Sequence, residues 1–152
     1  MINNDWKEQC EIVGAYLLDR FDIEVKYEYG AEDVYDYGDK EIIINSASGK
    51  EKQFCYLLHE AGHAVIFDEV ITNNSDTIYY HTPTMDFWNA EVQNDGRRMR
   101  RKSNRVSVVM DEVDAWRYGL GVAEELELFV DMDKFNKFMT KNLFNYMYWA
   151  VE

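Results

Sequence analysis

Apolar residues recur at helical spacing from the start of the chain. Trp6, Cys10, Val13 and Leu17 are four, three and four apart, which sets them on one face of a helix over residues 4–20, capped by Asn3 or Asn4. From Ile23 the period falls to two. Ile23, Val25, Tyr27 and Tyr29 alternate with Glu24, Lys26 and Glu28, the pattern of a half-buried strand. Gly30 and Gly38 bracket a polar, turn-like piece. Lys40 to Asn45 then carries the β-branched run Ile42-Ile43-Ile44, a second strand. This order predicts a small antiparallel sheet of two or three strands.

Ser48 with Glu51 three residues later is a capping-box signal. It opens a helix from about Gly49 to Phe67, with Phe54, Leu57, Leu58, Ala61, Ala64 and Val65 as its apolar positions. Residues 70–104 carry no clear period beyond a short strand over Thr77 to Tyr80, and are expected to form a long irregular flap. A long helix begins near Ser103 or Asn104. Its stripe is Val106, Val109, Val113, Trp116, Leu120 and Ala123, spaced three, four, three, four and three. A last helix, capped by Asp131 or Asp133, carries Phe135, Phe138, Met139, Asn142 and Tyr146. The expected fold is α+β, mainly helical, one domain over residues 1–152, with the sheet beside the second helix.

Composition narrows the class. The chain is 47% hydrophobic, enough for one core despite a net charge of −13, so it is not a disordered acidic segment. No apolar run reaches the length of a membrane span, and the N-terminus lacks a signal-peptide pattern. Cys10 and Cys55 are isolated and read as reduced core residues. These features predict a soluble cytoplasmic protein with no membrane partner. The net charge opposes nucleic acid as a whole-molecule field. Arg97, Arg98, Arg100, Arg101, Lys102 and Arg105 crowd into one segment, which pairs with the acidic remainder of the chain or contacts an acidic partner or nucleic acid.

The chemistry concentrates in His59-Glu60-Ala61-Gly62-His63. Positions i and i+4 stack on one helix face, so both imidazoles can share one metal ion. Glu60 can lean over the same site and take a proton from a water held there. This is the H-E-x-x-H arrangement of zinc hydrolases. A catalytic zinc commonly takes three protein ligands, so one is missing. Glu112 is the best candidate, with Asp111, Asp114 and Glu91 as alternatives. Ala115 and Gly119 follow Glu112 on its own face, and Ala61 and Gly62 lie between the histidines. Small residues on both helices allow the close approach a shared metal needs.

His59-Glu60-Ala61-Gly62-His63, followed by Glu112-Val113-Asp114-Ala115-Trp116, resembles the gluzincin metallopeptidases, whose third ligand is a glutamate opening an E-x-x-A segment on a later helix. The pattern is especially similar to ImmA/IrrE-type peptidases and to metallopeptidases encoded by bacteriophages. The resemblance covers two motifs and the helix order between them. It implies one zinc per chain on His59, His63 and Glu112, with Glu60 as general base. Trp116 departs from it. Many gluzincins carry Asp or Asn there to orient a ligand histidine, and an indole cannot accept that hydrogen bond; Asp111, Asp114 or a backbone carbonyl is expected to substitute.

A donor for the oxyanion of a tetrahedral intermediate is also needed. His81 is a candidate, with Tyr79, Tyr80 and Tyr118 competing; an exposed loop histidine is the plainer account of His81. Three functions fit: a zinc peptidase acting on a protein or peptide substrate, a metal-dependent hydrolase of another bond, and a binding protein on a metallopeptidase fold. An intact Glu60 favours the enzymes.

Overall fold

The computed structural model describes residues 5–73 and 82–152. Helix α1 (Trp6–Phe21) begins where Asp5, not Asn3 or Asn4, accepts the Glu8 N–H at 3.1 Å. Cys10, Val13 and Leu17 are buried, as their period requires, and Trp6 packs against Phe54 with ring centroids 5.5 Å apart. Asp22 closes the helix in the left-handed region at φ 58. Its N–H reaches the carbonyls of Leu17 and Leu18, satisfying helix-end acceptors.

The chain then enters β1 (Glu24–Glu28), followed by β2 (Val34–Asp36) and β3 (Glu41–Asn45). The sheet is mixed rather than antiparallel, in the order β1-β3-β2. β1 runs parallel to β3 and β2 antiparallel to it, so Val25 and Tyr35 both face Ile42 from opposite sides. The cause is β2, hidden in the polar stretch between Gly30 and Gly38. It makes the return pass and joins β3 by a hairpin turn over residues 37–40, so β3 runs in the direction of β1. Ile42 and Ile44 on the central strand are fully buried, whereas Tyr27 on the edge strand and Tyr29 in the turn after it are exposed.

Helix α2 (Lys50–Asn73) runs beyond its expected end at Phe67. Glu51 pairs with Lys134 at 2.8 Å, and at the helix start the Gln53 amide donates to the carbonyls of Ser48 and Ser46. Phe54, Leu57, Leu58 and Ala61 are fully buried. Much of the segment expected to be irregular is helical, as α3 (Thr82–Val92) and α4 (Gly96–Met99). Residues 74–81 lie outside the described residues, and with them the strand expected over Thr77 to Tyr80. Polar ties that periodicity does not register hold this region. Asp86 on α3 accepts from Arg98 and from Asn104, each at 2.6 Å.

Helix α5 (Lys102–Glu125) packs most extensively on α2. Its buried face is Ser107, Val108, Asp111, Glu112, Ala115, Trp116, Gly119, Val122 and Ala123. Of the expected stripe, Trp116 and Ala123 lie on this face, Val109, Val113 and Leu120 are half-buried at its margin, and Val106 is half exposed. Close approach by α2 at Ala115 and Gly119 selects small side chains there, and with the site carboxylates they widen the buried face beyond the apolar period. Helix α6 (Met132–Val151) is capped by Asp131, which accepts from the N–H groups of Asp133 and Lys134. The basic segment staples these elements. Arg98 and Arg101 reach Asp86, Lys102 donates to the Glu152 carbonyl, and Arg105 donates to the carbonyls of Met99 and Trp149. Among the described residues no helix is long and apolar enough to cross a membrane.

Candidate metal centre

His59 and His63 project from α2 one turn apart, with ring centroids at 4.7 Å. Glu112 meets them from α5. Its Oε2 lies 2.8 Å from His59 Nε2 and 3.3 Å from His63 Nε2. Two helices come this close because each backbone touches the other. Gly62 sits against the carbonyl of Ala115, and Gly119 against the carbonyl of Leu58, with no room for a β-carbon at either position. The small-residue faces legible in the sequence therefore do the work assigned to them.

Glu60 shares the site. Its Oε1 lies 3.4 Å from His59 Nδ1, and ligand atoms of His59, Glu60 and His63 fall within 4.8 Å of one another. His59, Glu60 and Glu112 are buried, whereas His63 keeps 22% of its side chain exposed. The cluster thus opens to solvent on the His63 side. Burial opposes the charged form of His59, yet the hydrogen bond to Glu112 and the nearby Glu60 carboxylate overcome it and lift its pKa to about 9. Burial opposes the Glu112 anion too, and the two histidines hold its pKa well below the usual carboxylate range. An anion kept buried by two imidazoles is costly unless all three groups share a task.

Two aromatic residues complete the surroundings. The Trp116 ring stacks on His59 at 4.4 Å with 12° between planes. Its indole N–H donates to Asn142 Oδ1 on α6 at 2.9 Å. One turn further along α6, the Tyr146 hydroxyl lies close to Glu112; burial first, then the Glu112 and Glu60 charges, push its pKa up and keep it a neutral phenol. Asp33, between β1 and β2, also faces the cluster. Burial and the Glu60 charge raise its pKa against the lowering effect of the Asn45 N–H bond at 2.8 Å.

Of the residues singled out in the sequence, His59, Glu60, His63 and Glu112 come together. Glu91 is exposed on α3. Asp114 and Tyr118 line a separate cavity of about 620 Å³ between α1, α2 and α5, which none of the four reaches. Asp111 is buried on the α5 face beside Glu112. His81, Tyr79 and Tyr80 lie outside the described residues. Tyr146, Asn142 and Asp33 carry no motif and were missed as site residues. The spacing of four between Asn142 and Tyr146 marks a shared helix face, but nothing in it points to α5.

No family model matches the chain, and no curated protein or solved structure is significantly similar to it.

The donor set suits a zinc ion. Two imidazole nitrogens and one carboxylate oxygen converge, and one side stays open. Three protein ligands with a free position is the pattern of catalytic rather than structural zinc.

Proposed function

We propose that the chain is a zinc-dependent hydrolase of gluzincin type, a small regulatory metallopeptidase that cleaves a protein or peptide. One observation carries this: a single Glu112 oxygen faces the Nε2 atoms of both His59 and His63, with the Glu60 carboxylate in the same cluster. His59, His63 and Glu112 would hold the ion. Bound there, zinc supplies Lewis-acid chemistry, acidifying water and polarising a carbonyl. Glu60 receives the proton of the attacking water and passes it to the leaving amine. The Tyr146 phenol, neutral and close to Glu60 and Glu112, holds Glu112 in place. Free, buried Cys10 and Cys55 fit a reducing compartment such as the cytoplasm. Bacteriophage origin is in keeping with the resemblance of the two motifs.

Elemental analysis of purified protein, paired with Glu60→Gln, tests the proposal. Expected are one zinc per chain in both proteins and new termini in a cell lysate only with the wild type. Loss of a general base costs about 10² to 10⁴ in rate. Protein that takes up no zinc, or equal cleavage by both, overturns it.

A second function is favoured by the 3.4 Å approach of Glu60 to His59 Nδ1. A carboxylate engaged there can orient the ring instead of serving as base. The chain would then be a binding protein on a metallopeptidase fold. Zinc uptake without cleavage by either protein selects this alternative.

A further inference from the structure

Trp116 stands where a hydrogen-bond acceptor for a ligand histidine was expected, and it offers His59 a ring face instead. A stacked ring fixes the plane of an imidazole only if it is itself fixed. Trp116 is fully buried and is held at two points. Phe135 meets it edge-on at 5.3 Å, and Asn142 accepts its indole N–H at 2.9 Å. Tyr56 closes the opposite flank, edge-on to Trp116 at 5.4 Å and to His59 at 6.3 Å. The Asn142 amide oxygen is the one directional contact in this group; the ring packing constrains distance but permits sliding.

We propose that Asn142 and Trp116 form a positioning relay in which the α6 amide fixes the indole, and the indole fixes the His59 ring plane for metal binding. The relay rests on the metal-site proposal above. Asn142 is a positioning residue, since it acts only through Trp116. The face of α6 that carries Asn142 also carries Tyr146, which lies close to Glu112. One helix thereby meets the surroundings of a ligand on α2 and a ligand on α5. Outer partners of this kind typically change metal affinity by about 10- to 100-fold.

The test is a double-mutant cycle on zinc affinity, measured by chelator competition, with the absorption spectrum of the cobalt-loaded protein as second readout. Asn142→Leu removes the acceptor at similar size, Asn142→Asp retains it, and Trp116→Phe keeps a ring on His59 without the N–H. Expected are about 10-fold weaker zinc binding and an altered cobalt spectrum for Asn142→Leu, both restored in Asn142→Asp. In the Trp116→Phe background Asn142→Leu should have no further effect, because coupled residues are not additive. An unchanged cobalt spectrum at saturation, or an equal loss in both backgrounds, overturns the relay. If Asn142→Leu fails to fold, Trp116→Phe decides by itself through the same two readouts. If the wild type takes up neither metal, the metal-site proposal fails. The relay is then read in metal-free protein from the His59 ring-proton shifts, which stacking displaces; shifts altered in Asn142→Leu and restored in Asn142→Asp support it, and shifts unchanged in Asn142→Leu overturn it.

Discussion

Gly62 packs against the carbonyl oxygen of Ala115 so closely that a β-carbon would overlap it. The obstacle is backbone, which cannot swing aside as a side chain does. Gly62→Ala must therefore push α5 away from α2, at a cost of about 1–3 kcal/mol. The same displacement carries Glu112 away from His59 and His63. Thermal unfolding should show the loss of stability, and zinc affinity should fall with it. Unchanged affinity would mean that the ligands do not depend on this contact.

Glu112→Gln keeps the shape of the carboxylate and removes its charge. Added zinc should raise the melting temperature of the wild type, since a ligand bound only to the native state stabilises it. The variant should show little or no rise. The metal-free variant should also be less stable than metal-free wild type, because two imidazoles lose the anion they face. Differential scanning calorimetry with and without zinc reads both effects.

Tyr146→Phe removes the phenol that holds Glu112 and leaves the ring packing of α6 intact. Zinc affinity should drop by about 10-fold or more, with little change in the fold by circular dichroism. Wild-type affinity together with slower turnover would reassign the phenol to the substrate.

Cys55 provides a pH signature independent of the metal. Burial, and then Glu51, push its pKa up to about 12 from an ordinary value of 9.0. Above pH 9.0 the unfolded thiol ionises while the folded one stays protonated. The stability Cys55 contributes is therefore complete below pH 9.0 and lost as pH rises toward about 12. Native protein at pH 8 should resist thiol alkylation at both cysteines, which are buried, and should react after denaturation. Rapid native labelling of Cys55 would contradict this environment.

The sequence by itself determined α1, β1, β3, α2, α5 and α6 and brought out the four residues of the candidate site. Periods of four and three wrote α1, period two wrote β1, and the Ile42–Ile44 run wrote β3, because backbone geometry imposes those periods directly. His59 and His63 are legible for the same reason: their spacing of four is a helical turn. Glu112 was within reach because Gly62, Ala115 and Gly119 announce close helix packing through the side chains they lack. What the tertiary structure decided was pairing between elements. Val34 and Tyr35 alone could not reveal that β2 returns along the far edge of β3 and makes the sheet mixed. Thr84, Phe87 and Ala90 give too short an apolar face to announce α3, which Arg98 and Asn104 tie to its neighbours through Asp86. The stripe from Val106 to Ala123 found Trp116 and Ala123 but not Asp111, Glu112, Ala115 and Gly119, because the part of the face that meets α2 carries carboxylates and small residues. Asn142 and Tyr146 join the site only by the docking of α6 onto α5. Such contacts span elements with no fixed sequence separation, so no period along the chain records them.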